Sequence, residues 1–239
     1  MRLDYWGCSE TGSVRSHNED SILMCHSDGD GLFLVADGIG GREHGEVASG
    51  QIHDGYQRWW QEQFLPRRGT MDFQTTMEGV RNTLLQVNRD LVSQFGEMNA
   101  GSTLVLLFLY GGNCAYLSAG DSRIYRIRNL SLRQISTDDV YQAQANDKNA
   151  WQNGRLMGAV GIRMKAQFMI RTDIVRNGDK FFLCSDGVYR YAKESVLRRE
   201  LIVRGSFGAP KDSVDRIEKD VLKHGAGDNY SMIYLKTRK

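Results

Sequence analysis

The chain has 239 residues, of which 31 are Lys or Arg and 29 are Asp or Glu, so its formal net charge at pH 7 is +2. This balance argues against a protein that binds nucleic acid or membranes through charge, the longest apolar runs are too short to cross a bilayer, and the N-terminus lacks an apolar signal segment. The cysteines lie far apart without zinc-ligand spacing, so we expect four reduced core thiols in a cytoplasmic protein: Cys8, Cys25, Cys114 and Cys184.

The first part of the chain predicts three short strands and two long helices. Apolar runs bounded by turn residues indicate strands over 4–9, 21–27 and 31–36. Apolar steps of three and four residues predict helices over 46–64 and 72–95. Four aromatic residues of the first helix stand at helical spacing, which predicts that they pack in the core: Tyr56, Trp59, Trp60 and Phe64.

The rest of the chain predicts further strands with a pair of helices near the end. The predicted strands are 102–110, 113–119, 122–128, 132–136, 167–175, 179–185 and 230–237, and the predicted helices are 193–204 and 211–223. A polar segment, 137–153, predicts a helix and a loop. Glycine-containing links at 111–112, 120–121 and 176–178 predict antiparallel hairpins. Hairpins interrupted by helix pairs favour an α+β fold with antiparallel sheets.

Acidic residues stand at the boundaries of several predicted strands, usually beside glycine. The segments are 18–20, 37–38, 120–123, 185–187 and 227–229. One Asp-Gly pair is usually only a turn. If these ends converge, however, four or five carboxylates share one cleft and need cations to offset their repulsion. Carboxylates beside the Gly38 carbonyl are hard oxygen ligands of the kind that Mg²⁺ and Mn²⁺ prefer.

Arg15 adds a group that binds phosphate through two parallel hydrogen bonds. With it, the motifs resemble, in order and over nearly the whole chain, the metal-dependent serine/threonine protein phosphatases of the 2C type, in their bacterial branch. The matching segments are 15–20, 37–41, 45–49, 101–103, 120–123, 185–187 and 225–229. The resemblance implies a sandwich of two antiparallel β-sheets flanked by pairs of α-helices. It also implies one domain over 1–239 with a flap at about 138–160.

The resemblance implies a centre with two Mn²⁺ or Mg²⁺ ions. Asp37 would bridge both metals, with the Gly38 carbonyl on one of them. Asp186 and Asp228 would hold the second metal. A hydroxide shared by the two cations would then attack phosphorus in line with the leaving serine or threonine oxygen.

The remaining expected site residues lie around this pair of metals. Glu19 and Asp20 would act through bound water, and Asp121 would help to hold a third, weaker metal. Arg15 would clamp the phosphate and, with Asp37, counts as catalytic in this scheme. Asn229 would support the site.

The chain departs from the family pattern at two places. Ile39 stands where many eukaryotic relatives carry a histidine that could act as a general acid, so we expect metal-bound water to protonate the leaving group. Residues 137–139, Thr-Asp-Asp, stand where relatives tend to carry Asp-His-Ser. The flap that follows has no clear family signature, so the substrate specificity is the property that can least be inferred from the resemblance.

Three functions remain open from the sequence. The first is a monomeric cytoplasmic phosphatase that acts on phosphorylated proteins, opposes a bacterial Ser/Thr kinase and binds neither nucleic acid nor membranes. The second is a module that binds phosphoproteins without turnover, an alternative suggested by Ile39 and the altered flap. The third is a metal-dependent nuclease or phosphodiesterase, against which the missing basic stripe counts.

Overall fold

The computed structural model describes residues 1–39, 44–141 and 156–238. Within these ranges the chain forms ten strands, which two groups of helices interrupt after β3 and after β9. The strands are β1 (Arg2–Glu10), β2 (Asp20–Ser27), β3 (Asp30–Asp37), β4 (Leu104–Tyr110), β5 (Asn113–Ala119), β6 (Arg123–Arg128), β7 (Ser131–Gln134), β8 (Arg171–Ile174), β9 (Lys180–Cys184) and β10 (Tyr230–Arg238).

Helices occupy two main stretches of the chain. The helices are α1 (Gly45–Arg58), α2 (Phe73–Phe95), α3 (Asp186–Tyr189), α4 (Glu194–Arg198) and α5 (Pro210–Lys223). Two of them continue in wider π-helical turns, α1 through Trp59–Phe64 and α4 through Arg199–Val203. The start of α2 is capped by Asp72, whose carboxylate accepts a hydrogen bond of 2.7 Å from the Thr75 backbone N–H.

The strands form two five-stranded antiparallel sheets. One has the order β1-β10-β9-β6-β7 and the other β2-β3-β4-β5-β8. Strand β3 is buried along its length because its alternate side chains pack into two different layers. Phe33 and Val35 pack between the sheets, whereas Leu32 and Leu34 pack under the helices.

Helices cover the outer face of each sheet. Helices α1 and α2 bury their apolar faces on the sheet that contains β3, and α4 and α5 pack on the sheet that contains β10. The predicted α+β sandwich of two antiparallel sheets flanked by helix pairs is therefore confirmed. The aromatic cluster predicted for the core is buried, with all four rings at most 4% exposed: Tyr56, Trp59, Trp60 and Phe64.

Two of the three predicted hairpins are wrong. Residues 111–112 do join the paired strands β4 and β5. Residues 120–121, in contrast, carry the chain from β5 in one sheet to β6 in the other, and 176–178 make a second crossing in the same direction, from β8 to β9. Each link contains a glycine with a positive φ, Gly120 in one and Gly178 in the other. A hairpin turn and a crossover between packed sheets both use such a glycine, so the composition of the link does not distinguish them.

Other differences are local. The strand predicted over 167–175 is shorter, at Arg171–Ile174, and the short helix α3 was not predicted. Residues 137–141 are not helical, and the rest of the predicted helix and loop, 142–153, lies outside the described residues. All four cysteines are free, two of them buried and two half-buried. None of the helices in the described ranges is long and apolar enough to cross a membrane.

Candidate active site

Asp37 ends β3 at the edge where the two sheets meet. Its backbone N–H donates a 3.1 Å hydrogen bond to the Thr103 hydroxyl, and its carbonyl accepts from the Thr103 N–H and the Ser102 hydroxyl. These bonds fix the strand end and turn the carboxyl toward neighbouring acids. Burial raises the pKa of Asp37 well above its usual value, and the nearby carboxylates, Asp20 first, raise it further.

Gly38 follows at a point where the backbone is tightly enclosed. Its N–H donates to the Glu19 carbonyl at 3.1 Å, and a Cβ placed there would lie 2.6 Å from the backbone of Gly45 and 2.7 Å from that same carbonyl. Only glycine fits this position without a shift of the backbone. The local fold therefore requires the Asp-Gly pair that the sequence singled out.

Asp20 lies directly opposite Asp37 in the β2–β3 register. The side chain is buried, and its Oδ2 accepts a hydrogen bond of 2.9 Å from the Ser185 hydroxyl. The other oxygen, Oδ1, has no partner among the described atoms. Burial raises the pKa of Asp20 to about 6, while hydrogen bonds from hydroxyl groups oppose that rise. A buried carboxylate oxygen with no donor is open to a cation or a water molecule.

Asp186 and Asp228 come from the other sheet. Asp186 begins α3 two residues after the end of β9, and Asp228 lies two residues before the start of β10. The two segments are pressed together, since a Cβ on Gly187 would lie 1.9 Å from the Asn229 carbonyl oxygen. Burial raises the pKa of Asp186, whereas the neighbouring Arg190 lowers it.

Arg15 reaches into the same cleft and contacts Asp228. Its Nε lies 2.9 Å from Oδ1, and its Nη2 donates to Oδ2 at 3.1 Å. The pairing is bidentate, the geometry in which a guanidinium also binds a phosphate. The Arg15 side chain keeps 44% exposure, so its guanidinium is accessible from solvent.

Asn229 supports the site through the backbone. Its side-chain oxygen accepts a 3.0 Å hydrogen bond from the Glu19 N–H, and its amide donates to the carbonyls of Thr11 at 2.8 Å and His17 at 2.9 Å. The loop that carries Arg15 and Glu19 is thus tied to the start of β10. The Glu19 side chain itself lies 3.3 Å from the ring of His17.

Asp121 lies in the crossover between the sheets and is 6% exposed. Its backbone carbonyl accepts a hydrogen bond of 3.0 Å from the Tyr189 hydroxyl, and its Oδ2 accepts one of 3.2 Å from Nη2 of Arg190. The same Nη2 lies 3.0 Å from Oδ2 of Asp186. Arg190 therefore bridges the two carboxylates that the crossover brings together.

The predicted site residues converge on one cleft. Asp20 lies beside it, and the lining includes Arg15, Glu19, Asp37, Gly38, Asp121, Asp186, Asp228 and Asn229. Five carboxylates there face only two guanidinium groups, Arg15 and Arg190, an excess of three negative charges when all are ionised. An all-oxygen donor set with this excess fits hard divalent cations.

Within the described residues, no three His, Cys, Asp or Glu side chains already stand in the arrangement of a metal cage. The ion pairs explain this, because Asp228 is turned toward Arg15 while Asp121 and Asp186 are turned toward Arg190. The oxygen donors are present in one cleft and are held by arginines.

The departures from the family pattern are placed as follows. Ile39 lines the cleft, and its N–H donates to the Gly101 carbonyl at 2.9 Å. Asp138 forms an ion pair with Arg123 at 2.8 Å and is not among the residues that line the cleft. Of the motif at 37–41, Gly40 and Gly41 lie outside the described residues.

Sequence reasoning missed three side chains that position the site. Thr103 holds the end of β3, and Ser185 donates to Asp20. Both residues lie within motifs that the sequence analysis recognised, 101–103 and 185–187, so the sequence did indicate them although it assigned them no role. Arg190 stands four residues after Asp186, a spacing that on a helix usually gives an ordinary surface ion pair. Its contact with Asp121 depends on the crossover from β5 to β6, which the sequence predicted as a hairpin.

Comparison with known proteins places the chain among protein phosphatases. The model of the protein phosphatase 2C family matches residues 11–219. The serine/threonine phosphatase stp of Listeria monocytogenes is 24% identical over 95% of this chain and 93% of its own length. The serine/threonine protein phosphatase PstP of Mycobacterium tuberculosis is 25% identical over 97% of this chain, which spans 44% of that longer protein.

Solved structures give the same result. The structure of PppA, a key regulatory component of T6SS in Pseudomonas aeruginosa, matches with a TM-score of 0.79 and 31% identity over 99% of both chains. The catalytic domain of PstP in complex with two manganese ions matches with a TM-score of 0.80 over 99% of both chains. At 23% identity, that second likeness is evidence for the fold alone.

Proposed function

The chain belongs to the protein phosphatase 2C family, and we propose that it removes phosphate from phosphoserine and phosphothreonine of proteins in a reaction that needs two Mn²⁺ or Mg²⁺ ions. The observation that carries the proposal is the cleft in which five carboxylates and Arg15 converge from both sheets. The named relatives, which are serine/threonine phosphatases, support the substrate class.

We assign the metal ligands to the acidic groups at the sheet edge. Asp37 and the Gly38 carbonyl would hold one ion, and Asp37, Asp186 and Asp228 would hold the second. Glu19, which lines the cleft, and Asp20, which lies beside it, would act through water. When bound, such ions lower the pKa of a water molecule toward neutrality and so supply the nucleophile.

The protein's own groups then orient the phosphate. Arg15 can exchange its bidentate contact with Asp228 for one with the phosphoryl oxygens, because both partners offer two oxygens in one plane. The guanidinium keeps its charge at every working pH, so it can stabilise the charge on the equatorial oxygens as the bond to the leaving oxygen breaks. Ile39 can neither donate nor accept a proton, so we propose that a water molecule, and not this side chain, protonates the leaving oxygen.

We propose the segment 138–160 as the flap, because its described residues include one that lines the cleft. Leu156 lines the cleft and pairs with Val140 in an isolated bridge, and the Met157 N–H donates to the Asp139 carbonyl at 2.9 Å. Residues 142–155 lie outside the described part of the chain. We also propose that the whole of 1–239 acts as one phosphatase domain.

The biological setting is proposed from the chemistry and from one relative. An enzyme of this kind reverses a kinase, so we propose a cognate Ser/Thr kinase as partner, with a monomeric phosphatase in the cytoplasm. The 31% identity to PppA, a key regulatory component of T6SS in Pseudomonas aeruginosa, favours a regulatory role of that kind for this chain. Light scattering of the purified protein tests the monomer, and deletion of the gene, followed by phosphoproteomics, tests the kinase partner.

An assay on several substrates tests the proposed activity against its alternatives. The purified chain with Mn²⁺ is expected to release phosphate from a phosphothreonine peptide and to stop when EDTA is added. Tight binding of the peptide without turnover in saturating Mn²⁺ would favour the binding module. Cleavage of DNA, RNA or a diester in place of the peptide would favour the phosphodiesterase.

A further inference from the structure

Arg190 occupies a position between two carboxylates that the family resemblance would give to a metal. One of its nitrogens, Nη2, lies 3.2 Å from Oδ2 of Asp121 and 3.0 Å from Oδ2 of Asp186. Nη2 carries two hydrogens, so one atom can serve both oxygens. The positive charge therefore lies between the two acids.

The surrounding fold holds these three residues in place. The Arg190 N–H donates to the Asp186 carbonyl at 3.0 Å, which closes the turn after α3. The Tyr189 hydroxyl donates to the Asp121 carbonyl, and the guanidinium of Arg123 lies 3.6 Å from the centre of the Tyr189 ring. Both acids are therefore set by local contacts that are independent of Arg190's side chain.

A metal ion and the Arg190 guanidinium cannot share this position. Divalent Mg²⁺ or Ca²⁺ ions lie about 2.0–2.6 Å from their oxygen ligands. An ion bound to both Oδ2 atoms would overlap Nη2 or lie against it, and like charges at that distance repel strongly. One of the two cations has to leave.

We propose that Arg190 is a built-in cation that replaces a third metal ion in this chain, so that the loaded protein binds two divalent ions and no more. Asp121 is then a partner of Arg190 and not a metal ligand. This inference rests on the proposed two-metal function. It adds that the negative charges of Asp121 and Asp186 are offset by the Arg190 guanidinium and not by a metal ion.

Counting bound Mn²⁺ tests the inference without any measurement of turnover. Native mass spectrometry at saturating Mn²⁺ is expected to give two ions per chain for the wild type and three for Arg190→Met. The double variant Arg190→Met with Asp121→Asn is expected to return to two. Arg198→Met is the matched control, because Arg198 pairs with Glu194 on α4, does not line the cleft, and should leave the count at two.

Thermal unfolding gives a second readout. Without metal, Arg190→Met leaves Asp121 and Asp186 unscreened, so its Tm is expected to fall below that of the wild type. Mn²⁺ should then raise the Tm of Arg190→Met by more than it raises that of the wild type. Because the Arg190 side chain is 55% exposed, the variant is expected to fold, and Arg190→Gln serves as a second variant.

Three ions in the wild type, or two ions in both Arg190 variants, would overturn the inference while leaving the two-metal function standing. No bound ion in the wild type or in Arg198→Met would overturn both the inference and the proposed function. The two failures are therefore distinguishable by the wild-type count alone.

Discussion

At the scale of single residues, the site is a set of acids that are costly to ionise together. Asp37 and Asp20 face each other across β2 and β3, and the pKa of each is raised, chiefly by burial. Such a set is unfavourable in the metal-free protein, and it becomes favourable when divalent cations are bound. The residues proposed as metal ligands therefore lower the stability of the metal-free protein.

The variant Asp37→Asn is therefore expected to stabilise the metal-free protein while removing its response to Mn²⁺. Asparagine has nearly the same shape and carries no charge among the neighbouring carboxylates. For a chain of this size, each kcal/mol corresponds to about 2–4 °C in Tm. Calorimetry in EDTA at pH 8 should show a Tm a few degrees above the wild type; a lower Tm would contradict the account.

Arg15 is expected to contribute through its geometry as well as its charge. Arg15→Lys keeps the charge and can keep one hydrogen bond to the phosphate, but it loses the second, parallel bond, which to a charged group is worth about 1.5–3 kcal/mol. We expect kcat/KM on a phosphothreonine peptide to fall about 10- to 100-fold, in line with that range. Arg198→Lys, on the surface of α4, should leave kcat/KM unchanged; equal activity of the two variants would exclude Arg15 as a phosphate clamp.

At the scale of elements, the loop between β1 and β2 depends on the start of β10. Asn229 uses its amide to bind three backbone groups of that loop, and it is only 6% exposed. Arg15 and Glu19 have no regular structure of their own to hold them. Their position in the cleft therefore depends on hydrogen bonds to Asn229, which lies near the other end of the chain.

Asn229→Ala is expected to destabilise the protein by about 1–3 kcal/mol, because it leaves partly buried backbone groups unpaired. Asn82→Ala, at an exposed position of α2, is a matched control that should change stability little. Urea unfolding monitored by fluorescence measures both. Equal midpoints for the two variants would show that the loop is held by other contacts.

The sequence predicted the elements better than their assembly. The strand β3 and the helix α2 follow from local apolar patterns, so their positions were predicted to within a residue or two. Whether the link at 120–121 reverses a strand or changes sheets depends on the partners that β5 and β6 find elsewhere. The contact of Arg190 with Asp121 follows from that crossover, so no local pattern could have indicated it.

At the scale of the whole molecule, the site exists only where the two sheets meet. Asp20 and Asp37 come from one sheet, Asp186 and Asp228 from the other, and Asp121 from the link between them. The sandwich brings together residues more than 200 positions apart in sequence, as in the pair Arg15 and Asp228. Metal binding and the packing of the sheets are therefore coupled.

The raised pKa values of the carboxyl groups at this site predict how the stability of the metal-free protein changes with pH. A carboxyl whose pKa is raised by folding, such as Asp20 at about 6, binds its proton more tightly in the folded state. The contribution of Asp20 to stability is greatest below its unfolded pKa near 4 and is lost as the pH rises through 6. The pKa of Asp37 is raised too, so its contribution is lost in the same direction. The metal-free Tm should thus fall as the pH rises from 5 to 8.

Saturating Mn²⁺ is expected to oppose that fall, because ionised carboxylates bind the metal more tightly. The difference in Tm between Mn²⁺ and EDTA should widen steadily from pH 5 to pH 8. A difference that stays constant over this range would show that the acids at the sheet edge do not take part in metal binding.

The most direct test of the account is a Mn²⁺ titration of phosphate release from a phosphothreonine peptide, with wild type, Asp186→Asn and Asp215→Asn side by side. Asp215 lies on the surface of α5 and pairs only with Lys211 among the ion pairs of the described residues, so it is the matched control. The account predicts saturable Mn²⁺-dependent release by the wild type and Asp215→Asn, and a loss of at least about 100-fold for Asp186→Asn. Release that survives in EDTA, or in Asp186→Asn, would contradict it.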